Sequence, residues 1–409
     1  MTTRRLALVE SNTTGSGRQF CAVARDRGLH PVVLTAAPQR YPYLAADRVD
    51  HEVLDTGDAD AVLDACARIA CLAGVTSSSE YFMATAAQVA AKLDLPAPDP
   101  AALNRCRHKD RQRAVLEQAG VPVPAFRPAG EVSRCVRVAD ELGYPVVVKP
   151  TTGSGSIGVR RCGTRTAVAR HAAQLLGNPT DERGRPTPRL VLVERYVPGP
   201  EYSVETFDDT AVAVVAKHLG AEPHFVETGH DVPAPVPPAV AAALRATALE
   251  AIGALGLGWG AAHTELRLTA DGPVVIEVNP RLAGGMIPTV VRLATGVDLV
   301  DAVVARATGH RPAPVPQAGT HASIRFVTAA AAGTVTDIAG LAEARATPGV
   351  HLAEVTVEPG TGIAVTHSFR DRVGYAVATG PDAVTAADRA TRGAAHLSIA
   401  TRPSTRETR

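Results

Sequence analysis

Residues 262–267 read Ala-His-Thr-Glu-Leu-Arg, and residues 274–281 read Val-Val-Ile-Glu-Val-Asn-Pro-Arg. The second stretch is apolar except at Glu277, Asn279, Arg281 and the intervening proline. Alternate residues of a strand share a face, so those three polar groups point the same way. A short turn at 269–272 sets the two strands side by side and brings Glu265 next to Glu277. Two carboxylates and an amide oxygen on one sheet surface make an all-oxygen site suited to Mg2+, which keeps waters and takes phosphate oxygens besides. Arg281 adds a fixed cation where a phosphoryl group would sit. The bland alternative is a pair of solvated acids on an open face. Valines and isoleucine on both faces of 274–278 favour a covered sheet instead, where like charges need a metal or a cation.

Upstream, residues 144–150 read Tyr-Pro-Val-Val-Val-Lys-Pro, followed by Thr-Thr-Gly-Ser-Gly-Ser-Ile-Gly-Val over 151–159. A strand delivers Lys149, and a loop carrying Gly153, Ser154, Gly155 and Ser156 turns before the next strand. Glycines let backbone N–H groups approach phosphate oxygens closely, and the lysine supplies counter-charge. No Gly-Lys-Ser/Thr opens a helix, so this is not a Walker loop. A third stretch, 191–205, ends an apolar strand in Glu194 and passes Tyr196 and Val197 to a second acid, Glu201. It offers carboxylate and backbone groups to a base edge and a carboxylate to sugar hydroxyls.

Outward from these motifs the chain divides. Alternating strand and helix patterns over 1–100 give an open α/β domain with a parallel sheet. Its first turn lacks the third small residue of the dinucleotide fingerprint, with Phe20 standing there. Asp99 and Pro100 start a basic helix that runs to Gly120. Residues 101–190 form a central subdomain with the glycine-rich loop, and 191–316 a catalytic subdomain. Residues 317–401 read as a separate small α+β domain, and 402–409 as a disordered tail. The fold class is therefore an α/β N-terminal domain, α+β domains around the motifs, and a small α+β C-terminal domain.

Composition narrows the function. With 42 basic and 41 acidic residues, no overall field favours nucleic acid or an anionic membrane. One Trp, seven Tyr and seven Phe are too few and scattered for a single-strand binder. Six cysteines form no CxxC pair and no zinc spacing, so they read as free thiols in a reducing compartment. No signal peptide or membrane span is legible, which places the protein in the cytoplasm.

The three motifs, in this order and spacing, resemble the ATP-grasp superfamily over about residues 100–310. The resemblance implies ATP held between two α+β subdomains, with Mg2+ (or Mn2+) on Glu265, Glu277 and Asn279. It implies Lys149 and Lys109 on the phosphates, Glu194 and the Val197 backbone on adenine, and Glu201 on ribose. Arg281 would steady the transferred phosphate. Within the superfamily the chain resembles the L-amino acid ligases, on Ser78-Ser79-Glu80, on 104–110, on 225–233 with Glu227 and His230, and on 261–265. That likeness implies an acyl phosphate joined to an amine, both substrates small molecules and the carboxylate an amino acid. Glu227 and His230, in a loop between strand and helix, would lie by the amino-acid pocket as ammonium and proton acceptors. A homodimer suits such folds, though no interface is legible. Alternatives are a related ligase of a non-amino-acid carboxylate and a non-catalytic nucleotide or amino-acid sensor.

Overall fold

A computed structural model describes residues 3–12, 16–181, 184–312, 315–316 and 319–403. The N-terminal sheet is parallel, with β1 (Arg5–Val9), β2 (His30–Thr35), β3 (Asp50–Val53) and β4 (Leu72–Thr76) in the order β3-β2-β1-β4. Leu6 and Leu8 pack on one side with Phe20 and Ala24, while Ala7 and Val9 pack on the other with Val62 and Phe82. Period-two burial on both faces is why β1 reads as a continuous apolar run.

The basic helix expected over 99–120 is two helices, Pro100–Arg107 and Lys109–Gln118, broken at His108 with φ −98° and ψ 102°. The break lets the Lys109 N–H donate to the Thr151 carbonyl at 2.8 Å. It also turns Lys109, Gln112 and Arg113 inward, all buried. A local pattern of helix formers does not reveal a kink set by a partner 42 positions away, from Lys109 to Thr151.

An antiparallel sheet follows, β5 (Phe126–Ala129), β6 (Val146–Pro150), β7 (Arg160–Cys162) and β8 (Val191–Arg195), in the order β5-β8-β6-β7. Helices 132–142 and 165–176 cover it through Cys135, Val138, Val168 and Ala172. Ahead of β8, an isolated bridge pairs Thr180 with Pro186.

The central sheet has eight strands. Five are β9 (Glu201–Phe207), β10 (Thr210–Leu219), β11 (Glu227–Val232), β12 (Ala261–Thr269) and β13 (Gly272–Asn279). The other three are β14 (His321–Thr328), β16 (Val350–Val355) and β18 (Arg372–Gly380). Their order is β13-β12-β9-β10-β11-β14-β18-β16, and all eight run antiparallel to their neighbours. Three of the C-terminal strands extend the sheet begun upstream, since β14 pairs with β11. Only β15 (Gly333–Ala339), β17 (Gly362–Ile363) and β19 (Ser398–Arg402) form a sheet of their own. Residues 227–232 are strand rather than loop. Their polar Glu-Thr-Gly-His-Asp-Val text hides it, because flanking strands on both sides decide the conformation. The expected tail begins with Arg402 inside β19, and 404–409 lie outside the described residues.

Strand β13 is an edge, and the chain covers it. The Gln112 side chain donates to the Val278 carbonyl at 2.7 Å and accepts from the Val278 N–H at 2.8 Å, as a partner strand would. The Val275 N–H donates to the Pro122 carbonyl at 2.8 Å. Closing the edge fixes the strand that carries Glu277 and Asn279.

Candidate active site

Glu265 and Glu277 are register partners on β12 and β13, directly opposite one another, and His263 faces Asn279. Opposite residues of an antiparallel pair project to the same face. That face looks into a cavity of about 1070 Å3 between the central sheet and the β5–β8 sheet, and all four residues line it. A cation stands by each carboxylate. Lys109 Nζ is 3.1 Å from Glu277 and donates to the Gly153 carbonyl at 2.6 Å. Glu265 accepts from Lys217 Nζ at 2.7 Å and faces His263 Nε2 at 3.2 Å.

His263 Nδ1 lies 2.7 Å from Glu205, which also accepts from the Ser203 hydroxyl at 2.7 Å. Burial pulls the imidazole down, but Glu205 and Glu265 outweigh it and lift it to about 9. It is an imidazolium donating from both nitrogens. Burial pushes Glu265 up, yet Lys217 and His263 hold it well below the carboxylate range. Among the described residues no group of three or more His, Cys, Asp and Glu is arranged to enclose a metal. The donor set is two facing carboxylates and a nearly buried amide, which fits an ion that takes its other oxygens from phosphate and water.

Lys149 and Glu194 also line the cavity but are bound to each other at 2.6 Å, and Arg113 Nε donates to the other Glu194 oxygen at 2.6 Å. All three are buried. Burial lowers the Lys149 ammonium despite Glu194, and the two cations hold Glu194 below its usual range despite burial. Both Glu194 oxygens are thus engaged by cations. The Val197 carbonyl accepts from Arg267 at 2.8 Å. Glu201 is held by Lys217 at 3.0 Å and Arg267 at 3.1 Å. The Tyr196 hydroxyl donates to Glu222 at 2.8 Å, with Arg161 and Arg267 against its ring at 5.0 and 5.2 Å. Ser154, Gly155 and Ser156 reach the cavity from the glycine-rich loop.

Arg281 is paired with Glu80 of the N-terminal unit, at 2.7 Å from Nε and 2.5 Å from Nη2. Glu227 lines the cavity, held by Lys217 at 2.8 Å and by Arg372. Burial raises it, but those cations set it well below the carboxylate range. His230 departs from its expected role as proton acceptor. It is fully buried, and neither ring nitrogen has a hydrogen-bond partner. It lies behind the Gly284–Gly285 turn, where a Cβ on Gly285 would approach Nε2 to 2.8 Å. Burial pushes it down to about 3, so it is neutral and a weak base.

The sequence reading missed Lys217, Arg267, Arg372 and Arg113 altogether. Lys217 had a visible signal: one lysine ending the apolar run Ala-Val-Ala-Val-Val-Ala of β10. The arginines had none, since their partners lie on distant strands.

Comparison with known proteins agrees with this architecture. The ATP-grasp domain description matches residues 142–290, and the L-amino acid ligase C-terminal domain 2 matches 325–402. The uncharacterised protein y4rH of Sinorhizobium fredii is 39% identical over 381 residues, covering 92% of this chain and 79% of that protein. The chain belongs to the ATP-grasp ligases. Carnosine synthase 1 of Gallus gallus is 29% identical over 248 residues, 55% of this chain, and the match spans only 27% of that longer protein. The L-amino acid ligase of Bacillus licheniformis shares the fold with a TM-score of 0.82 at 22% identity, covering 98% of this chain and 100% of that structure. Among the described residues no helix of this ATP-grasp ligase is long and apolar enough to cross a membrane.

Proposed function

We propose that the chain joins an amino-acid carboxylate to an amine, using ATP and Mg2+ and releasing ADP and phosphate. The supporting observation is Glu265 opposite Glu277, with Asn279 beside them, lining a cavity that Lys149 and Arg281 also line, with Lys109 3.1 Å from Glu277. A carboxylate is a poor electrophile because oxide is a prohibitive leaving group. Its oxygen attacks the terminal phosphorus of ATP, ADP departs, and the acyl phosphate presents phosphate as a good leaving group. The amine nitrogen then attacks the acyl carbon, losing a proton as phosphate leaves.

Glu265, Glu277 and Asn279 would hold the divalent ion, which when bound would supply counter-charge to the phosphates. The chain's own contribution is position and charge. Lys109 and Lys149 flank the phosphates from the helix break and from β6. Arg281, oriented by Glu80, balances the charge that develops on the transferred group. Glu227 is the wall carboxylate placed for a substrate ammonium, and Lys217 and Arg372 fix its direction. The names of the carnosine synthase and L-amino acid ligase relatives support amino acids as the substrate class. Incubation with each of the twenty amino acids, singly and in pairs, with ATP and Mg2+, tests this. ADP and amide formed with at least one pair, and lost in Glu277→Gln, is the expected result. No ADP with any combination sinks the reading.

A further inference from the structure

Two segments distant in sequence meet on the glycine-rich loop. The Phe369 N–H donates to the Gly155 carbonyl at 3.2 Å. The Phe369 ring lies so close that a Cβ on Gly155 would stand 2.3 Å from Phe369 Cδ1. The Ser156 hydroxyl donates to the Phe225 carbonyl at 3.0 Å, and the Arg161 N–H to the Pro223 carbonyl at 3.0 Å. Beside them His224 and His367 stack with centroids 3.8 Å apart and planes 3° apart, joining the 220–226 turn to the C-terminal segment.

The turn that carries Phe369 is rigid in itself. Buried Asp371 accepts from the Thr366 N–H and hydroxyl, both at 2.7 Å, and from the His367 N–H at 2.8 Å. Buried Ser368 accepts from the Arg370 N–H at 3.3 Å. Phe369 and Arg370 line the same cavity as Glu265 and Glu277. A loop of glycines and serines loses much chain entropy when it closes. A preformed turn that docks on its backbone offsets that loss. The fit needs a residue without a side chain at Gly155, whose φ of +64° also favours glycine.

We propose that the turn 366–371 is the catch that holds the glycine-rich loop over the reacting centre, and that Phe369 is a positioning residue setting how much acyl phosphate reaches the amine rather than water. The coupling half of this rests on the ligase reading above; the loop-holding half does not. Water attacking the acyl phosphate returns the carboxylate and releases phosphate, so ADP accumulates without amide. A catch that fails lets water in and shifts this partition while phosphoryl transfer continues.

Two measurements on the full chain test it. In hydrogen exchange, Phe369→Ala speeds exchange across 152–160, whereas Phe369→Tyr, which keeps the ring, does not. In turnover, amide formed per ADP falls several-fold in Phe369→Ala and stays within about twofold of wild type in Phe369→Tyr, with carboxylate-dependent ADP release retained. Gly155→Ala uncouples likewise, and in Gly155→Ala with Phe369→Ala the two losses are less than additive, because the clash has gone and only the backbone strain at φ +64° remains. Unchanged exchange over 152–160 in Phe369→Ala overturns the catch; faster exchange with unchanged amide per ADP overturns its role in coupling. A wild-type chain that makes no ADP with any amino acid sinks the ligase reading, and exchange still decides the catch.

Discussion

Replacing Lys217 with methionine tests the electrostatic frame of the site most directly. The ammonium lies 2.7, 2.8 and 3.0 Å from Glu265, Glu227 and Glu201. Burial alone would push it down, but the three carboxylates outweigh that and hold it well above the lysine range. Each of those acids has a second cation, His263, Arg372 and Arg267 respectively. Counting Glu205 with His263, four carboxylates face four cations. Lys217→Met therefore leaves one buried negative charge in surplus, without baring any single acid. Removing one partner of a buried ion pair costs about 3–5 kcal/mol, a fall of roughly 3–6 °C in melting temperature for a chain of this length.

The surplus also fixes the sign of the pH response. One carboxylate of the variant is pushed above its unfolded pKa, so it takes up a proton more readily when folded. The deficit relative to wild type then shrinks as pH falls from about 8 to about 5.5. Mg2+, by neutralising the same surplus, raises the variant's melting temperature more than the wild type's. Thermal melts over that pH range, with and without Mg2+, read all three effects. A variant that melts within a degree or so of wild type at every pH would mean the cluster is solvated and the ledger of charges is wrong.

Other expectations are narrower. Glu277→Gln keeps the shape but removes one carboxylate of the pair and the acid beside buried Lys109, so ATP turnover should fall by at least about a hundredfold and the melting temperature should fall as well; steady-state ADP release checks it, and unimpaired turnover counts against the metal assignment. Gln112→Ala leaves the Val278 N–H and carbonyl without their partner at a fully buried position, a loss of about 1–3 kcal/mol readable by denaturant titration. His230 is about 3 when folded against 6.5 unfolded, so between those values only the unfolded chain takes the proton. Stability is lost as pH falls below 6.5, by about 1.4 kcal/mol per unit, and His230→Leu should flatten that slope; equal slopes in both proteins refute a neutral buried imidazole.

The parts of the site legible in sequence are those whose geometry is local. The alternation in 274–281 and the short turn at 269–272 predict the facing of Glu265 and Glu277, and register pairing places them opposite. Lys149 before its glycine loop is similarly local. What stayed hidden depends on separation: Glu80 meets Arg281 across 201 positions, and Glu227 meets Arg372 across 145. No periodicity encodes such a pair. The break at His108 and the strand at 227–232 were hidden for the same reason, since each is fixed by a neighbour supplied from elsewhere in the chain.

These long-range pairs share a logic. Each cation placed for an anionic substrate already has an internal acid: Lys109 has Glu277, Lys149 has Glu194, and Arg281 has Glu80. Buried charges left single would be costly, so the pairing lets a polyanion site fold before any polyanion arrives. It also means that a nucleotide must exchange partners rather than fill a waiting positive field. At Glu277, a divalent ion held as proposed would supply that carboxylate's counter-charge in place of Lys109 and would leave the lysine for phosphate. Glu194 cannot be released so simply, being gripped by Arg113 as well as Lys149. On the proposed reading, this charge pairing favours a nucleotide that arrives with its metal over one that arrives without it.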